Sequence, residues 1–134
     1  MFVRFHANYA SPFTKQPYGI FVAIFHLKRE GILSPADTEL YDRTVQWFEE
    51  NLPNPPFYEE HQNSRRAVTW FKDGERTRPM IAKLAPFLDI AARYEMEIIR
   101  SVAVELPGTL VYENDYQIAV TIYPAEGSDG GCEQ

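Results

Sequence analysis

Cysteine occurs once in the chain, at Cys132, so no disulfide can close within it and a stapled secreted scaffold is excluded. That lone thiol fits a reducing compartment. It stands in an acidic stretch where nothing would lower its pKa, so it is not expected to act as a nucleophile. Histidine occurs three times, at His6, His26 and His61, with no His-x3-His or Cys-x2-Cys spacing. No metal site and no cofactor are expected from such a set. The only dense glycines, Gly127, Gly130 and Gly131, have no helix behind them, which excludes a Walker A loop and a dinucleotide fingerprint. No Gly-x-Ser-x-Gly elbow occurs. The longest apolar run, Ile20 to Phe25, is six residues, against about 20 for a bilayer span. The first residues, Met1 to His6, lack the basic and apolar regions of a signal peptide. The expectation is a soluble cytoplasmic protein with no membrane contact.

Charge is present but segregated. The net charge is −6. Residues 1–29 hold four bases and no acid, 30–60 eight acids and one base, 61–83 six bases and two acids, and 84–134 nine acids and two bases. An acidic balance of this kind makes nucleic acid an unlikely partner, because backbone affinity needs clustered lysine and arginine.

The periodicities predict an α+β chain. Phe2, Arg4 and His6 alternate with Val3, Phe5 and Ala7 as in a strand. Ser11-Pro12 and Gln16-Pro17 break regular structure. Over 18–30 a helix carries Ile20, Ile24 and Leu27 on one stripe and Phe21 and Phe25 on the next, a breadth that predicts burial in the core. Gly31 stands where a left-handed residue ends such a helix. Ser34, Pro35 and Asp37 start a second helix, which Leu40, Tyr41, Thr44, Val45, Trp47, Phe48 and Leu52 carry to about Asn51. The short link makes the two an antiparallel hairpin.

Pro53, Pro55 and Pro56 exclude a helix over 52–60 and stiffen the backbone. Residues 67–72 read as a strand. A third helix runs from Thr77 or Arg78 to about Tyr94, with Met80, Ile81, Leu84, Phe87, Leu88, Ala91 and Ala92 inward and a kink at Pro86. The period then shortens to two: a strand over 98–106, a turn at Pro107-Gly108, a strand over 109–112, and a last strand with Tyr116, Ile118, Val120 and Ile122 on one face. These predict a meander of two successive hairpins, inside one domain of residues 1–123 followed by a flexible acidic tail over 124–134.

Two stretches suit recognition. Pro55, Pro56, Phe57 and Tyr58 present aromatic rings on a rigid backbone at little entropic cost. Arg65, Arg66, Trp70 and Lys72 combine base and ring, the residue types enriched at interface hot spots. The alternative is that Phe57 and Tyr58 fold back over the core while Trp70 is an inward strand residue. Carboxylates such as Glu59 and Glu113 could do acid–base work if folding paired them, although solvated surface is the plainer reading.

The strings Trp47 to Pro53, Pro55 to Tyr58, Ala67 to Lys72 and Val111 to Gln117 resemble a small family of uncharacterised bacterial α+β proteins. The resemblance covers nearly all of the chain before the tail. It implies a bacterial or phage origin, and it brings no activity, cofactor or catalytic residue with it.

The expected architecture is a single α+β domain in the order β-α-α-β-α-β-β-β, with helices on one face of a mainly antiparallel sheet and the strand at 67–72 parallel to its neighbour at 98–106. The expected function is that of a non-catalytic protein-binding module, as an inhibitor or accessory factor in bacterial or phage defence or counter-defence. The competing expectation is a small hydrolase or nucleic-acid-processing enzyme using Glu or Asp with His6 or His61 in a carboxylate-lined pocket. A homodimer is expected through an unguarded sheet edge at Tyr116–Tyr123.

Overall fold

A computed structural model describes residues 1–12, 14–52 and 67–121. The elements follow as β1 (Phe2–Ala10), β2 (Pro17–Gly19), α1 (Ile20–Arg29), α2 (Pro35–Asn51), β3 (Ala67–Lys72), α3 (Arg78–Ala82), α4 (Ala85–Arg93), β4 (Ile99–Ala103), β5 (Thr109–Glu113) and β6 (Gln117–Thr121). The α+β class and the helices packed against an antiparallel sheet are as expected. Pro55 to Tyr58, Arg65, Arg66, His61 and the tail lie outside the described residues.

Local chemistry fixes the helix ends. Ser34 Oγ accepts from the Asp37 N–H at 3.1 Å with Pro35 opening α2. Gly31, at φ +74°, ends α1: its N–H reaches the Lys28 carbonyl and the Ile32 N–H the Leu27 carbonyl, both at 3.0 Å. Those two bonds are the Schellman pattern that favours glycine at this position. The third helix is not kinked but divided. The chain leaves the helix at Lys83–Leu84 and starts afresh, with Pro86 in the first turn of α4, where a missing N–H costs no bond.

Asp37 ties the start of α2 to the end of α4. Its carboxylate accepts from Arg93 Nη2 at 2.5 Å and from the Tyr94 hydroxyl at 2.7 Å. The Arg93 bond first, then the Tyr94 bond, holds the Asp37 carboxyl below the ordinary aspartate range. A carboxyl depressed in the folded state stabilises fully above its unfolded pKa and loses that contribution as pH falls through the folded one. The melting temperature is therefore expected to drop below about pH 4, and to drop less in Asp37→Asn, which has no carboxyl to protonate. Parallel melts of both chains from pH 6 to pH 3 check this; equal slopes would contradict it.

The sheet departs from the expected meander. Its order is β2-β1-β3-β6-β5, with β4 also on β1, and every ladder is antiparallel. Only β5 and β6 form a hairpin of the expected pair. β4 does not join β5, and β3 lies between β1 and β6 rather than beside β4. β3 and β4 do run the same way, but β1 separates them. β6 is an interior strand over Gln117–Thr121, so the part of the expected open edge at Tyr116–Tyr123 that these residues form is not an edge; β2, β4 and β5 are the strands paired on one side only.

Phe2 is paired on both sides, to Lys72 and to Ala103, and His6 on both sides, to Gly19 and to Ile99. Since a strand has two edges, β4 takes one edge of β1, and β3 and β2 share the other. That shared edge forks, with Arg4 and Phe5 between the two partners. The sheet is also curled. Residues 104–108 alone join β4 to β5, a reach of about 21 Å at full extension. In a flat sheet the ends would stand about 25 Å apart, four strand spacings across and five residues along.

The main core lies between the sheet and α1, α2 and α4. It gathers Val3 and Phe71 with Ile20, Ile24, Tyr41, Phe48, Leu84, Phe87 and Ile90. A second cluster, Val68, Ile118 and Val120 with Phe2 and Trp70, lies on the other face.

Candidate functional site

Of the residues expected to meet a partner, Trp70 and Lys72 are described, and both sit on β3, inside the sheet. Trp70 packs on Val68, Ile118 and Val120, and its buried indole N–H has no hydrogen-bond partner among the described residues. Lys72 Nζ pairs with Glu113 at 2.5 Å. The structure therefore places Trp70 in the second cluster and engages Lys72 and Glu113 with each other.

His6 is buried on β1. Its Nδ1 lies 2.8 Å from the Ala7 carbonyl and its Nε2 2.7 Å from Ser101 Oγ. A carbonyl only accepts, so in the neutral ring the proton is on Nδ1 and Ser101 donates to Nε2. Both nitrogens are then occupied without a carboxylate. Among the described residues no cluster of histidine, cysteine and carboxylates could hold a metal ion.

A cleft of about 750 Å³ lies between the sheet and the helix layer. β1 gives it Arg4 and Phe5, β3 Thr69 and Phe71, and β6 Gln117; β2 and α1 give Tyr18, Ile20 and Phe21, and α2 gives Tyr41, Val45 and Phe48. Arg4 is buried, and its Nη2 donates to the Pro17 carbonyl at 2.5 Å. Glu49 is the one carboxylate among the described lining residues, and it is exposed. His6 does not line the cleft. The described residues thus do not assemble the carboxylate–histidine pocket on which the enzyme expectation relied.

A second feature lies on the outside of α1. This helix is apolar nearly all the way round, and such a helix is ordinarily covered on every side. Here Ile20, Ala23, Ile24 and Leu27 are buried, but Val22 is 42% and Phe25 43% exposed. The tip of the β1–β2 hairpin extends the uncovered flank. Tyr9, Tyr18 and His26 meet in tilted and edge-to-face contacts with ring centroids 4.8–5.8 Å apart, and Tyr9 Oη lies 2.7 Å from His26 Nδ1. Burial, and then Arg29, pushes the His26 pKa below the ordinary histidine value, so the ring is neutral at pH 7. Burial likewise raises the Tyr9 pKa and keeps the phenol protonated. Arg29 rests over Phe25, 5.9 Å from the ring centroid. The result is a partly exposed aromatic surface ending at Arg29, which pairs with Glu30 at 3.6 Å.

Sequence reasoning missed this surface because it assigned the whole apolar girth of α1 to the core. The available signal was excess: more apolar positions than one buried stripe needs. No described helix is long and apolar enough to cross a membrane. The chain matches no protein-family model, no curated protein and no solved structure.

Proposed function

We propose that the chain acts by binding another protein, as an inhibitor or accessory factor, and that the partner docks on the outer flank of α1 and the β1–β2 hairpin. The observation that carries this reading is the apolar surface on which Tyr9, Val22 and Phe25 are exposed beside half-buried Tyr18 and His26. Tyrosine, phenylalanine and arginine concentrate binding energy when a partner excludes water from them. A lone cysteine suits such a role in a reducing cytoplasm. A homodimer belongs to the same reading, with the outer edge of β4 in place of β6.

The test compares partner capture and affinity for the wild-type chain and the double variant Val22→Ala, Phe25→Ala. Both side chains are more than two-fifths exposed, so the melting temperature should hold. A loss of at least about 2 kcal/mol, roughly 30-fold in affinity, is expected. An unchanged affinity for the same partner, with the variant folded, would remove α1 as the docking surface.

A further inference from the structure

We propose that Ser101 and His6 form a dyad for acyl transfer from small aryl esters, with Ser101 as nucleophile and His6 as its base. The activity is separate from the docking surface on α1 and does not depend on it.

The register brings the pair together. Arg4 pairs with Ser101 and His6 with Ile99, so His6 and Ser101 are diagonal neighbours on one face of the sheet. Ser101 Oγ lies 2.7 Å from His6 Nε2, and His6 Nδ1 lies 2.8 Å from the Ala7 carbonyl. The carbonyl fixes the proton on Nδ1 and leaves Nε2 to accept from the serine, the tautomer that a general base needs. A nucleophile, a base in hydrogen-bond reach and a third group that orients the base are the parts of a serine acyl-transfer site. The orienting group here is a carbonyl in place of a carboxylate. It gives less support to the imidazolium that forms, so the substrates are esters with good leaving groups.

Access and an oxyanion donor come from the position of β4. His6 is buried, but Ser101 is half-buried on an outer strand, between half-buried Ile99 and Ala103 on the same face. With Phe2, which pairs with Ala103, these side chains give a short acyl group an apolar rest. Asp73 donates to the Met1 carbonyl, so Met1 and Val3 turn their backbone groups to β3, and Phe2, Arg4 and His6 turn theirs to β4. Their partners Ala103, Ser101 and Ile99 bond back to β1, which turns the Val102 N–H to the open edge. That N–H belongs to the residue after the nucleophile, a position from which oxyanion donors come.

In the reaction Ser101 Oγ attacks the acyl carbon while its proton passes to His6 Nε2. The bond from the acyl carbon to the aryl oxygen breaks, and the phenol leaves with that proton. Water then attacks the acyl-serine and gives a proton to Nε2, which returns it to Ser101 Oγ as the carboxylic acid departs. Ester and water are consumed, and phenol and acid are released.

The test treats the full chain with a fluorophosphonate probe and, separately, with p-nitrophenyl acetate at neutral pH. Peptide mass spectrometry is expected to find one phosphonyl group per chain, on Ser101. Ser101→Ala should lose the label and slow ester hydrolysis at least about 100-fold, the lower end of what a positioned base supplies. His6→Gln should slow both reactions at least about tenfold. His26→Gln, which removes the other hydroxyl–imidazole pair at Tyr9, should change neither. No label, a label on another residue, or hydrolysis that survives Ser101→Ala or falls with His26→Gln would overturn the proposal. If His6→Gln does not fold, the position of the label and Ser101→Ala still decide it.

Discussion

Replacing Phe87 with alanine is expected to cost about 3–5 kcal/mol of folding stability, the range for a fully buried phenylalanine. Phe87 is 0% exposed and comes from α4, and its ring meets the other two helices of the layer. Its centroid stands 5.4 Å from that of Phe21 on α1, 5.7 Å from Tyr41 and 6.2 Å from Phe48, both on α2. The gap left by alanine would be hard to close, because α1 ends on Gly31 and α2 is joined to α4 through Asp37 and Arg93. The lost contacts and the unfilled volume therefore add. Against a typical total of about 5–15 kcal/mol, the variant would retain a thin margin. Urea unfolding should show a lower midpoint with an unchanged slope. A loss under about 1 kcal/mol would mean that the three helices do not converge on this ring.

Features governed by near neighbours were legible in the sequence. Ser34, Pro35 and Gly31 end their helices through bonds within a turn, and the helix stripes placed Leu84, Phe87 and Ala91 inside. The same stripe placed Ala92 inside and passed over Ile90. Because the helix restarts after Leu84, the inward face of α4 runs through Phe87, Ile90 and Ala91, while Ala92 is exposed. Strand partners were not legible. The β1–β4 ladder joins residues 2–6 to 99–103, and nothing within a window of ordinary length selects that pairing over a β4–β5 hairpin. The cleft was out of reach for the same reason, since its walls come from strands and helices far apart in the sequence. Three-residue β2 was too short to show a period. The flank of α1 depended on where α2 and α4 settled, and a stripe of Val22 and Phe25 looks the same covered or bare.

Ile118→Ala is expected to cost about 2–5 kcal/mol, although Ile118 faces away from every helix. The register fixes its direction. Val3 pairs with Phe71 and Phe71 with Gln117, and Val3 and Phe71 belong to the helix-side core. Side chains alternate along a strand, so Gln117, Ala119 and Thr121 share the helix face and Ile118 and Val120 point to the other. The strongest alternation in the sequence thus serves the second cluster and not the helix layer. Ile118 is 1% and Val120 0% exposed, opposite Trp70 and Val68 in the ladder. Burial so complete marks the far face as core in this region, and the indole N–H of Trp70, unpaired among the described residues, is a cost that the surrounding apolar contacts offset. A control on the same face is Leu110→Ala. Leu110 pairs with Val120 from the outer strand but is 40% exposed, so its truncation should cost less than about 1 kcal/mol. Urea midpoints for both variants measure the contrast. If Ile118→Ala is as mild as Leu110→Ala, the far face is a surface that the folded chain does not need, and the second cluster contributes nothing to holding β3 against β6.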